Sequence, residues 1–139
     1  MSNVLAKDRK PSGLEFLVYP HDLEVYTVQN AKAIPKTHTF TLKVPLCESA
    51  RNINKFIRYA NTIYPDNIKD KDIKQDAVSE RLKWEKRAIM EVTNFIEILT
   101  VASEVVPLSD NLLEKWTELA YNSKQSLINR NNKDKERYL

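Results

Sequence analysis

The chain has 139 residues, 42% of them apolar and 29% charged, with a net charge of +3. That fits one soluble globular domain large enough to bury about two-thirds of its unfolded surface, and the modest positive charge permits nucleic-acid binding without demonstrating it. One glycine disfavours phosphate-cradling loops and hairpin-rich folds, one cysteine excludes an internal disulfide and a thiolate zinc site, and no apolar run reaches the length of a membrane span.

Residues 1–12 read as a mobile basic arm carrying Lys7, Arg9 and Lys10, with no apolar stretch of a secretory signal, so a reducing cytoplasm is the expected compartment. Ser12 is the expected N-cap of the first helix, with Glu15 as its capping-box partner. The first helix, at about 13–33, has two apolar faces. Leu14, Leu17, Val18, His21, Val25 and Val28 form one, and Phe16, Tyr19, Leu23 and Tyr26 form the other, taken here as spare. Pro20 predicts either a kink or a restart of the helix.

The second helix, at about 42–64, has its regular part beginning near Val44, because Pro45 is tolerated only in a first turn. Leu42, Leu46, Ala50, Ile53, Ile57, Ala60 and Tyr64 recur at steps of three and four on one face, and Arg51, Lys55 and Arg58 recur on the opposite one. Two readings of that basic row stand: a solvated helix face, or a surface that neutralises backbone phosphates.

The third helix, at about 69–105, is the longest. Ile73, Ala77, Trp84, Ala88, Val92, Phe95, Leu99 and Ala102 make its inward stripe, and Val78, Leu82, Ile89 and Ile96 a flanking strip. Together with the spare face of the first helix, this surplus points either to a homo-oligomer or protein partner using Phe16, Tyr19, Leu23, Tyr26, Val78, Leu82 and Ile89, or to a thick core with exposed flanks. Lys83, Lys86 and Arg87 face outward and extend the candidate phosphate surface. Arg81 falls on the inward line, where it either buries its stem and pairs with Glu85 or lines a central opening of an oligomer as a phosphate contact.

The fourth helix starts at the N-cap Ser109 and runs to about Arg130, with Leu112, Leu113, Trp116, Leu119, Ala120, Ser123 and Leu127 inward, and residues 131–139 read as a fraying polar tail. His21 and His38 lack the spacing of a metal site and read as hydrogen-bonded core residues. Cys47 reads as an apolar filler near a helix start. No catalytic constellation, metal site or cofactor is expected, and the fold class is an all-α, antiparallel up-and-down four-helix bundle.

Ile34-Pro35-Lys36 followed by Phe40-Thr41-Leu42, the rhythm Ala50, Ile53, Ala60, Asn61, and the segment from Ala77 through Arg81, Leu82 and Trp84 to Glu97-Ile98-Leu99 carry a likeness that spans nearly the whole chain. The chain resembles the four-helix-bundle family that includes ribosomal-RNA intervening-sequence proteins and the accessory variability determinant (Avd) of diversity-generating retroelements. Asn61-Thr-Ile-Tyr-Pro65 sets it apart from the intervening-sequence branch and looks like a bacterial Avd branch. The resemblance implies a ring-shaped homopentamer with a positive surface that binds the element's reverse transcriptase and nucleic acid, supporting mutagenic reverse transcription without chemistry of its own. The alternatives are a protein-interaction bundle and a ribosome- or RNA-associated factor.

Overall fold

The computed structural model describes residues 13–139. It is an all-α bundle of four long helices: α1 (Glu15–Asn30), α2 (Val44–Asn61), α3 (Lys71–Val105) and α4 (Asp110–Tyr138). Each helix packs against its neighbour in sequence, and α1 closes the four-sided bundle by packing on α4. No strand occurs among the described residues. The expected basic arm with Lys7, Arg9 and Lys10, and the expected N-cap Ser12, lie outside them.

Local chemistry sets the helix ends. Gly13 sits at φ 74°, a left-handed conformation that glycine adopts at no steric cost, and α1 starts two residues later. Pro20 neither breaks nor restarts α1, which continues to Asn30 with the proline ring buried. Pro45 lies in the first turn of α2, after a π-helical turn at Thr39–Lys43. The Asp70 carboxylate caps α3 by accepting from the amides of Asp72 and Ile73, both at 3.0 Å. Ser109 caps α4, as expected, its hydroxyl accepting from the Leu112 amide at 3.2 Å.

The α2 face is the one expected: Leu46, Ala50, Ile53, Ile57 and Ala60 are buried, although Tyr64 beyond the helix is exposed. In α4 the buried line Trp116, Leu119, Ala120, Ser123 and Leu127 also matches. On α1 the expected orientation is reversed. Phe16, Leu23 and Thr27 are buried, Tyr19 and Tyr26 are half-buried, and Leu14, Val25 and Val28 face outward. Phe16 and Leu23 are therefore core rather than interface residues. The reason lies on α4, where the fully buried Trp116 needs an acceptor for its indole N–H. Thr27 supplies it: Trp116 Nε1 donates to Thr27 Oγ1 at 2.9 Å, and that hydroxyl donates to the Leu23 carbonyl at 2.7 Å. Turning α1 by half a revolution would bury three valines and orphan the indole.

The α3 stripe shifts too. Its buried line is Val78, Arg81, Glu85, Ala88, Val92, Phe95, Leu99 and Ala102. Ile73 is exposed, Ala77 and Trp84 are half-buried, and Val78, expected at an interface, belongs to the interior. Leu82 and Ile89, the other expected interface residues of this helix, are half-buried. His21 is exposed and His38 half-buried, its Nδ1 3.2 Å from the Thr41 hydroxyl, so neither histidine is in the core.

The expected polar tail is instead the last two turns of α4. Asn131 and Asp134 continue the inward line of Leu127 and are buried, and Arg137 pairs with Asp66 in the connection before α3. These polar residues are ordered because their partners lie on the rest of the bundle. The orientation of α1 predicts a contrast in urea denaturation: Leu23→Ala lowers stability by about 2–5 kcal/mol, whereas Val28→Ala changes it by no more than about 0.5 kcal/mol.

Candidate nucleic-acid interface

Arg51, Lys55 and Arg58 all face solvent on α2. Arg51 is engaged by Glu24 of α1, Nε to Oε2 at 3.3 Å. Such an exposed pair is worth about 0–1 kcal/mol, yet it cancels much of the local positive potential. Arg58 Nε donates to the carbonyl of Asn54 at 3.2 Å. The row exists as expected, with Lys55 at its centre.

A second cationic set lies on α3. Arg87 places its guanidinium 4.7 Å from the centroid of the Trp84 ring, an arrangement that holds the charge in place through a cation–π contact. Trp84 is fixed in turn by Phe56 and Tyr59 of α2, with ring centroids 5.7 and 5.0 Å away. The α2 row turns toward α1 through the Arg51–Glu24 pair, while Glu91 of α3 accepts from the Ser49 hydroxyl of α2 at 2.8 Å.

Instead, the α3 cations meet α4. Lys83, Lys86 and Arg87 line a groove of about 390 Å³ together with Lys135, and Leu82 and Met90 supply apolar walls. Among the described residues no acidic side chain lines it. Lys83 and Arg87 were expected on this face and Lys86 beside them. Lys135 was missed because a polar helix end without visible partners reads as a frayed tail.

Beneath the groove lies a buried ionic cluster built on Arg81. Its Nε donates to Asp134 Oδ2 at 2.7 Å and lies 3.6 Å from Glu85 Oε2, and its Nη1 donates to the Ile63 carbonyl at 2.7 Å. Asn131, which also lines the groove, donates to Glu85 Oε1 at 3.0 Å. Arg130 approaches Asp134 from the rim at 3.6 Å and lies over the Phe16 ring. Arg81 is 3% exposed. It is a structural cation rather than the expected phosphate contact: within the folded subunit its guanidinium is used up by the Asp134 carboxylate, the Glu85 carboxyl and a carbonyl.

The two carboxyls differ in protonation. Burial, reinforced by a hydrogen bond to Asp134, pushes Glu85 from the usual 4.5 up to about 8, so it is neutral at pH 7. Burial also acts upward on Asp134, but the Glu85 hydrogen bond and the Arg81 guanidinium outweigh it and hold that carboxylate below its ordinary range. Cys47, half-buried, has its thiol pushed up by desolvation, which overrides any help from a helix start.

Among the described residues no group of three or more His, Cys, Asp or Glu side chains is placed to hold a metal ion, and no helix is long and apolar enough to cross a membrane. Comparisons of the chain with protein-family models, curated proteins and solved structures give no match.

The raised Glu85 predicts an unusual pH dependence. Between about 4.5 and about 8 the unfolded chain has released this proton while the folded chain keeps it, so the contribution of Glu85 to stability declines across that window and levels off above it. Glu85→Gln keeps the site neutral and preserves its hydrogen bonds. Urea unfolding at pH 5, 7 and 9 should show the variant gaining on the wild type as pH rises, by a total on the order of a few kcal/mol.

Proposed function

We propose that this chain is a non-enzymatic, cytoplasmic accessory protein of a diversity-generating retroelement, binding nucleic acid and the element's reverse transcriptase to support mutagenic copying. The observation that supports the nucleic-acid part is the groove lined by Lys83, Lys86, Arg87 and Lys135, with no acidic side chain among its described lining residues. Cations so placed neutralise backbone phosphates and release counterions, an attraction that needs no base contact. The polymerase, the retroelement and assembly into a pentamer come from the family resemblance.

The α3 cations form the principal phosphate contact, and the α2 row a lesser one. Arg51 is partly neutralised by Glu24, and Arg58 is tethered to its own helix backbone. A second reading, a bundle that binds only protein, is favoured by the outward apolar line of Val25 and Val28, which are 41% and 52% exposed. In the accessory reading that line serves contacts with other subunits or with the polymerase.

Salt separates the two readings. RNA affinity of the full chain should fall linearly in log–log form with salt, and Lys83→Ala/Lys86→Ala/Arg87→Ala should weaken binding at least tenfold and flatten the slope by about 2–3. Arg51→Ala/Lys55→Ala/Arg58→Ala should produce a smaller loss. No RNA binding, or an affinity indifferent to salt, contradicts the nucleic-acid function. Failure of the chain to co-elute with the reverse transcriptase contradicts the accessory role.

A further inference from the structure

Among the described residues, the α3–α4 seam carries two clefts. Beyond the groove already described, a smaller one of about 200 Å³ is lined by Lys71, Lys74, Val78, Arg137 and Tyr138. Arg137 is engaged by Asp66, so Lys71 and Lys74 are the cations it offers. Lys74 and Lys86 are twelve residues apart on one helix, which at the α-helical rise separates them by ~18 Å. Among the described residues no acidic side chain lines either cleft. Cations therefore recur along one seam over a distance that suits a linear polyanion better than an isolated phosphate.

The larger cleft is also not purely ionic. Leu82 and the 63% exposed Met90 give it apolar walls, and Met adapts its unbranched, polarisable side chain to flat partners of varied outline. Arg87 has one face on the Trp84 indole and is itself exposed, which leaves its other face open to a stacked ring. A duplex keeps its bases stacked inside and would offer this seam only phosphates, leaving the apolar walls unused. An unpaired strand offers phosphates to the lysines and flat π-faces to Leu82, Met90 and Arg87. Apolar contact and stacking on a guanidinium plane use the π-face that every base has, so this mode is sequence-tolerant.

Resting on the nucleic-acid reading above, we propose that the α3–α4 seam is a binding track for single-stranded nucleic acid, sequence-tolerant, with backbone phosphates on Lys83, Lys86 and Lys135 and bases against Leu82, Met90 and Arg87. In the accessory role such a track would hold template or product strand while it is unpaired.

The test is fluorescence anisotropy of the full chain with a labelled oligothymidylate strand and with a labelled duplex of equal length, at one fixed salt concentration. The strand should bind at least tenfold more tightly than the duplex. Met90→Glu, at an exposed position, should reduce strand affinity at least tenfold while circular dichroism shows the helical fold intact, and Met90→Leu should restore it. Equal or tighter duplex binding, or a Met90→Glu variant that binds the strand like wild type, overturns the track and leaves general nucleic-acid binding standing. Absence of binding to both probes removes both.

Discussion

A guanidinium taken out of water must be met by acceptors on every side, and Arg81 imposes that condition on the lower half of this bundle. Asp134 on α4 and the carbonyl of Ile63 in the connection before α3 accept its hydrogen bonds, and the Glu85 carboxyl on its own helix lies 3.6 Å away. Removing one partner from such a buried pair costs about 3–5 kcal/mol, because the charge left behind stays desolvated. The last turns of α4 are thereby pinned to α3. Those turns carry Asn131 and Lys135 into the groove, so the shape of the cationic seam depends on charges that never reach its surface.

Two carboxyls around one deeply buried arginine would repel each other if both were ionised. The proton on Glu85 resolves this, leaving Asp134 as the anion that Arg81 needs. Asn131 donates to Glu85 and also lines the groove, which ties the cluster to the seam. The opposite end of the bundle is held differently, by apolar packing around Phe95, Leu99 and Trp116 and by one shared hydroxyl, that of Thr27.

How much of this was legible in the sequence varied by element. In α2 the apolar and charged residues separate cleanly, so its buried face and its basic row followed from spacing alone. α1 has two apolar faces of similar content, and periodicity cannot choose between them. The choice was made by Trp116, almost ninety residues away, through a hydrogen bond to a threonine that hydropathy counts as neutral. Arg81 was placed correctly on the inward line by geometry, but its main partner Asp134 lay in a segment too polar to look folded. For the same reason Lys135 was missing from the candidate site. Polar residues that order a helix end by pairing across the bundle have the composition of a tail that frays.

The candidate surface was therefore half visible. Lys83, Lys86 and Arg87 stand out as cations on an outward face, but only the approach of α4 turns a convex helix surface into a groove with apolar walls. The α2 row, the clearer signal in sequence, turns out to be partly neutralised by Glu24 and to lie outside the groove's lining. Photo-crosslinking of a thiouridine-containing single strand to the full chain, with the modified residues identified by mass spectrometry, locates the strand on the folded surface. Adducts are expected within 79–90 of α3 and 131–138 of α4. Adducts confined to the α2 row around Lys55 would rule out the α3–α4 seam as the binding track.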